Sequence, residues 1–277
     1  ETRDLKISSD FWLRDRVTWL ETQPYDYILA LTKTIQQKLK PSIRPIEIVP
    51  LGASYDRLNP TNKEILRARI RKQLNIQADA PVILYAGSLS PTRQLDKIVT
   101  GFSLILDRFP MARLLLVGGQ VGYSIGTDPL VKPLLELTQE LGISSQVLFT
   151  GRVPYSDVPM YFAASDVGIS YMPLGTPHQH QPPTKLIEYM IAGMVAASNR
   201  VPAVDELIED NVNGILFGES EEQIASGMQR SLAILDPNNQ EGCYQMTTNA
   251  RNTVRNRDWQ HIVDERLIPL YEKLCEK

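Results

Sequence analysis

Cysteine is scarce. Cys243 and Cys275 are the only two in 277 residues, so disulfides cannot frame the fold, and a reducing cytoplasm is the simplest setting. Long apolar runs are missing as well: none approaches the roughly 20 residues of a membrane span. Charge of one sign is absent. The 29 basic and 32 acidic side chains leave a formal net charge of -3, which argues against a dedicated nucleic-acid binder, whose contact face tips a whole domain basic. The opening residues, ETRDLKISSD, are too polar for a secretory signal. No Met leads them, which fits a chain processed or cut from a longer one. There is no internal repeat and no low-complexity tract. What remains is an ordinary globular balance, 43% apolar and 22% charged.

What is present is a rhythm. Apolar runs of four or five residues alternate with helical patterns. Strands are expected at 27–31, 46–49, 82–86, 114–117, 147–149, 167–170, 195–198 and 215–217. Between them fall helices at 8–22, with Ser9 or Asp10 as N-cap, and at 32–40, 61–74, 128–141, 157–164, 184–192 and 204–209. The helix opening at Leu95 carries Leu95, Ile98, Val99, Phe102, Ile105, Leu106 and Phe109 on one face. The tail reads as three helices, 221–235, 241–255 and 258–277. Strands alternating with helices make a parallel sheet covered on both faces, with ligands at the carboxyl ends of the strands. The informative loops are therefore 87–94, 118–128, 151–156, 172–185 and 199–206.

Loop 87–94 offers Gly87 for close backbone approach and Arg93 for an anion. Gly118, Gly119 and Gly122 miss the dinucleotide pattern, which needs glycines at 118, 120 and 123. The richest segment is 182–193, PPTKLIEYMIAG. Its prolines stiffen the approach, Thr184 is placed to cap, and the first-turn amides form an anion site. Glu188, one turn in, is suited to accept hydrogen bonds from adjacent sugar hydroxyls; the bland alternative is a surface glutamate paired to a cation. His178 and His180 form an H-x-H pair without a convincing third metal ligand, and exposed loop histidines are the simpler reading. The basic residues Arg57, Lys63, Arg67, Arg69, Arg71 and Lys72 run around the helix and read as a solvated face.

Taken together, VILYAGSLSPTRQLDKIVTGF, LLLVGG, VLFTGRVPYSDVPMYFAASDVGISYMP, PTKLIEYMIAGMVAAS and VPAVDELIEDNVNGILF resemble, in order and spacing, the glycosyltransferases of family 4 (glycosyl transferases group 1). The resemblance covers residues 46–217 well. It implies the GT-B fold: a Rossmann-like parallel sheet with helices on both faces, here with an incomplete N-terminal domain. Residues 1–53 then correspond to a remnant of the acceptor domain and hinge, 54–255 to the nucleotide-sugar (donor) domain, and 256–277 to a C-terminal crossing helix.

The family's G-R-L-x-x-x-K-G loop reads GSLSPTRQ here, so Arg93 keeps the distal charge and Ser88 lacks the proximal one. By the same resemblance Ser88, Arg93, Thr184, Lys185 and Leu186 meet the donor diphosphate. Glu188 binds the ribose, the backbone of Arg152 and Val153 reads the base, and His180 stands where a glutamate touches the donor sugar. The implied reaction is a retaining transfer of a hexosyl group from a UDP- or GDP-sugar to the hydroxyl of a glycan, lipid or small molecule. Neither metal nor cofactor is expected, nor any nucleic-acid partner. The expected place is the cytoplasm, peripheral at the inner membrane face through the missing domain. The catalytic residues lie mostly in that domain, so this chain is expected to bind donor and transfer little. Two other readings are a non-catalytic nucleotide-sugar binding module and a nucleotide-sugar epimerase.

Overall fold

The computed structural model of the chain describes residues 11–40, 42–180 and 183–276, and the side chains of all of these but 11–15, 177 and 178. The expected cap at Ser9 or Asp10, Pro182 and the His178 side chain lie outside that part. Two sheets form. After α1 (Phe11–Thr22), β1 (Ile28–Ala30) and β2 (Ile46–Ile48) pair in parallel across α2 (Lys33–Lys38). Then α3 (Tyr55–Leu58) and α4 (Lys63–Gln73) lead into a six-stranded sheet. Its strands are β3 (Val82–Ala86), β4 (Arg113–Val117), β5 (Val147–Gly151), β6 (Val167–Ser170), β7 (Val195–Asn199) and β8 (Ile215–Phe217).

All six are parallel, in the order β5-β4-β3-β6-β7-β8. The chain moves outward from β3 to β5, then crosses back to β6 on the other side of β3. β3 and β6 thus flank a switch point, where the connections diverge and leave a crevice at the carboxyl ends. The helices between strands are α5 (Leu95–Ser103), α6 (Lys132–Glu140), α7 (Val158–Ala163), α8 (Thr184–Ala192) and α9 (Pro202–Asp205). After β8 come α10 (Glu221–Ile234) and α11 (Gln240–Val254).

Alternate strand residues feed two cores. Ile83, Tyr85, Leu114, Leu116, Val167 and Ile169 pack with α5 and α10. Val82, Leu84, Leu115 and Ala196 pack with α4, α7, α8 and α11 on the opposite face. This two-sided burial is why the strands read as unbroken apolar runs. In α5 the face Leu95, Ile98, Val99 and Phe102 is fully buried, as the period requires. The helix stops at Ser103, whose hydroxyl donates to the Thr100 carbonyl at 2.7 Å and competes with the ladder. Leu106 and Phe109 follow in turns, packed on the same core.

Two expectations need correction here. Of the basic residues before β3, Arg69 and Lys72 are exposed as expected, but Arg57, Lys63, Arg67 and Arg71 are not part of a solvated face. Arg67 and Arg71 reach Asp166 Oδ1 and Oδ2 at 2.7 and 2.9 Å, and Lys63 Nζ donates to the Ala192 carbonyl at 2.8 Å. The partner carboxylate is almost a hundred residues away in sequence, beyond the reach of any local pattern. The last helix is also not continuous. It breaks into α12 (Trp259–Ile262), a π segment over Val263–Leu267 and α13 (Ile268–Cys275). Pro269 has no N–H to offer and its ring crowds the preceding turn, so the ladder widens before it. These helices return to the first part of the chain. Ala53 bridges to Asp258, and Lys273 Nζ lies 5.9 Å from the Tyr27 ring centre.

Candidate active site at the switch point

Loop 87–94 leaves β3 through Gly87, at φ +141°, where a Cβ would stand 2.5 Å from Lys185 Cε. A Cβ on Gly118, at the end of β4, would collide with the Gly87 carbonyl. Gly118 therefore needs glycine for close approach, and Gly87 needs it for its left-handed φ. Leu89, 2% exposed, anchors the loop in the core, and the Tyr85 hydroxyl donates to the Ser88 carbonyl at 3.0 Å. Ser88 itself is exposed. Gln94, at φ +48°, then turns the chain from the Pro91–Arg93 turn into α5.

α8 begins on the other side of the crevice. Thr184 is not its cap: Pro183 holds that position, and Thr184 already has helical geometry with an exposed side chain. Leu186 N donates to the Pro183 carbonyl at 3.0 Å and its side chain is fully buried. The amides of Thr184 and Lys185 thus come ahead of the helix ladder, at the positive end of the dipole. The Lys185 stem lies over Gly87, and Nζ sits 4.9 Å from the centre of the Tyr85 ring, a cation–π contact. Burial, and then the nearby Arg93 charge, push the Lys185 amine down to about 8, against the pull of Glu188. A cation opposed by burial and by a second positive charge thus stands beside a helix N-terminus. That arrangement costs free energy when empty and is relieved by an anion.

Glu188 lies one turn further, with its side chain 16% exposed. Burial pushes its carboxyl up, while Tyr155, Arg57 and Lys185 oppose that shift. The Tyr155 hydroxyl donates to Glu188 Oε1 at 2.9 Å, Arg57 Nη2 donates to that hydroxyl, and Arg57 Nη2 lies 3.9 Å from Glu188 Oε1. The guanidinium stacks 3.7 Å from the Tyr155 ring centre.

Arg152 and Val153 sit on the loop that ends at Tyr155. Gly118 N donates to the Gly151 carbonyl at 3.2 Å, which ties this loop to the end of β4. Arg152 is exposed and Val153 half-buried against the core. The buried Asp128 secures the neighbouring loop through Gln120 N at 2.6 Å and Leu130 N at 2.8 Å. Asn199 clasps the loop after β6, accepting from Met172 N and donating to the Met172 carbonyl, both at 2.8 Å.

The structure thus gathers Gly87, Arg93, Lys185 and Glu188, and sets Arg152 and Val153 on the adjoining loop. His180 stands apart. Burial and the Lys38 charge push its imidazole down, and its Nδ1 is buried without a partner among the described residues. Its turn, Pro177–His180, packs on α9. Arg57 and Tyr155 were not foreseen as site residues. Their meeting depends on a fold that brings positions 98 residues apart into contact, and nothing local signals it. A cavity of about 640 Å³ is lined by Lys33, Pro183, Ile187, Glu206, Arg257 and His261 among others. Among the described residues no cluster of His, Cys, Asp and Glu is arranged to hold a metal, and no helix is long and apolar enough to cross a membrane.

A family model described as glycosyl transferases group 1 matches residues 67–253, well over half of the chain. The chain belongs to this family of glycosyl transferases. Its similarity to a GDP-mannose-dependent alpha-(1-6)-phosphatidylinositol monomannoside mannosyltransferase of Mycobacterium tuberculosis is 26% identity over 192 residues, 68% of this chain and 46% of that enzyme. A D-inositol 3-phosphate glycosyltransferase of Nocardia farcinica is 31% identical over 124 residues, 44% of this chain and 26% of the relative. The chain therefore spans less than half the length of these family members. Among solved structures, sucrose-phosphate synthase of Thermosynechococcus elongatus superposes with a TM-score of 0.74 at 22% identity, covering 99% of this chain and 64% of the other. Anabaena HepE in complex with UDP gives 0.76 at 18% identity, covering 95% and 69%. At such identities the likeness speaks for fold, and that fold is the GT-B type.

Proposed function

We infer that this chain forms the donor side of a retaining glycosyltransferase that moves a hexosyl group from a nucleotide-diphosphate sugar to an acceptor hydroxyl. One observation carries the reading: Lys185, its stem over Gly87, stands at the N-terminus of α8, where burial and the Arg93 charge both work against its own charge. Breaking the bond between the sugar and the diphosphate leaves negative charge on the departing nucleotide. Two cations and the leading amides of α8 neutralise it without a metal. Glu188 offers Oε2 to adjacent ribose hydroxyls while Oε1 is held by Tyr155. Arg152 and Val153 supply backbone for the base edge. The printed names of the relatives support the donor class: one is GDP-mannose-dependent, and HepE was solved with UDP and with UDP-glucose. Since the chain spans under half of that mannosyltransferase, we assign donor binding to this chain and turnover to the whole protein.

A thermal-shift panel of UDP, GDP and ADP tests this. At a concentration one hundred times Kd, the matching nucleotide is expected to stabilise the chain by about 2.7 kcal/mol. Glu188→Ala and Arg93→Ala should abolish most of that gain at the same concentration. Full responses from both variants would place the donor elsewhere. A second reading, a binding module without transfer, is favoured by Ser88 and His180, which stand where the family resemblance places an arginine and a glutamate. Activity of the full-length protein with a sugar donor decides against it.

A further inference from the structure

The chain Arg57–Tyr155–Glu188 runs in one direction. Arg57 Nη2 donates to the Tyr155 hydroxyl, and that hydroxyl donates to Glu188 Oε1. Burial pushes the Tyr155 phenol up, so it keeps its proton and stays a donor. A mostly buried carboxylate that must accept from a ribose diol has two needs: it must stay ionised, and its plane must be fixed. Tyr155 and Arg57 provide both, and they leave Oε2 without a protein donor among the described residues.

Arg57 does not come from the donor loops. It lies on α3, whose first amide, Tyr55 N, donates to Asp258 Oδ2 at 3.0 Å. Just before it, Ala53 N donates to the Arg257 carbonyl at 2.8 Å, and Trp259 N donates to the Ala53 carbonyl at 3.3 Å. This is the segment that joins the two-stranded sheet to the six-stranded one. Arg57 Nε is also buried without an acceptor among the described residues, so the guanidinium is incompletely satisfied in the free chain.

We propose that Tyr155 and Arg57 are positioning residues for Glu188, which set its carboxylate for the ribose diol and tie that setting to the segment joining the two sheets. This rests on the donor-site reading given above. Three features separate it from a merely structural contact. The hydroxyl of Tyr155 matters apart from its ring, the effect requires a diol on the ligand, and it passes through Glu188.

The test is calorimetric titration of the full chain with UDP and GDP and with their 2′,3′-dideoxy counterparts. Tyr155→Phe keeps the ring under the guanidinium and removes one hydrogen bond to a charged group. It should weaken the diol-bearing nucleotide roughly tenfold to a hundredfold and leave the dideoxy form within about twofold of wild type. Arg57→Lys keeps charge but loses the stack, and should give a smaller loss with the same selectivity. In the Glu188→Gln background, Tyr155→Phe should add little, because the residue it positions is already altered. Equal losses on both ligand forms, or none on either, would overturn the role of Tyr155 while leaving the donor site standing. Wild type that binds neither UDP nor GDP would overturn the donor site itself, and this inference with it.

Discussion

The two ends of β3 and β6 handle charge in opposite ways. At the amino ends Asp166, Arg67 and Arg71 are matched. Asp166 accepts from Arg67, from Arg71 and from Val82 N at 2.8 Å, and the remaining Arg71 donors go to the carbonyls of Ala164, Gln77, Ala78 and Ala80. At the carboxyl ends burial and the Arg93 charge work against the charge of Lys185, Glu188 favours it, and the backbone beneath is Gly87. Matched charge makes structure. Crowded like charge, beside glycine and helix amides, makes a place for a ligand. The same strands carry both, so the difference lies in partners and not in burial.

The largest effect should come from breaking the matched end. Asp166→Ala strands Arg71, 4% exposed, beside an unpaired Val82 amide. Removing one partner of a buried pair costs about 3–5 kcal/mol. For a chain of this size that is a fall in Tm of roughly 10 °C by calorimetry. Nucleotide affinity of the folded chain, titrated at low temperature, should stay within twofold. A variant that melts like wild type would show that Asp166 is not what holds α4 to the sheet.

The reverse should hold at the crowded end. Lys185→Met keeps the stem over Gly87 and removes the charge. Stability should hold or rise, while affinity for the matching nucleoside diphosphate falls about tenfold to a hundredfold. The pH dependence carries a sign. Lys185 titrates near 8 in the folded chain against 10.5 ordinarily. Across that window the unfolded chain binds a proton that the folded chain does not, so this group makes stability rise with pH. Diphosphate binding needs the charged amine, so affinity is full below about pH 8 and falls up to tenfold per unit above it. Lys185→Met should be flat in both respects between about pH 7 and 9. An affinity profile in wild type that is equally flat would remove Lys185 from the anion site.

The sequence allowed much of this to be read, but unevenly. Strands 82–86, 167–170 and 215–217 and helix 184–192 match their expected bounds, because two-sided burial writes an apolar run and Gly193, at φ +74°, ends α8 in the left-handed conformation. Gly87 and Arg93 were pointed to by their loop, and Glu188 by its place one turn into α8, whereas Lys185 was marked only through the family resemblance. Arg71 and Asp166, or Arg57 and Tyr155, were not legible. Their roles depend on contacts across 95 and 98 positions, and a helical wheel of the basic run shows charge without showing its partners. Thr184 misled for a local reason: threonine is a good cap, but Pro183 takes the N-cap position and leaves Thr184 inside the first turn.

The smallest expected effect concerns a second glutamate, and it sharpens the contrast with Glu188. Glu206, at the end of α9, accepts from Lys33 N at 3.1 Å, Thr34 N at 2.9 Å and Thr34 Oγ1 at 2.6 Å, so it caps α2 from the other sheet. Burial works against its charge, but the Thr34 and Lys33 donors prevail and hold its carboxyl below the ordinary value, where that of Glu188 is raised. A depressed carboxyl stabilises above its unfolded pKa, and the contribution is lost as pH falls through the folded value. Because Glu206 is exposed to water, Glu206→Gln should cost only about 1 kcal/mol near neutral pH by urea denaturation. The gap between wild type and variant should close as the medium is made acid enough to fall below the ordinary carboxylate range, where wild type loses the same charge. Nucleotide affinity should not move, since Glu206 is engaged by Lys33 and Thr34 of α2 and not by any residue of the proposed donor site. A Glu206→Gln chain that lost nucleotide as Lys185→Met does would mean that the capped helix and the anion site form one unit, and the division between matched and crowded charge would have to be redrawn through α8.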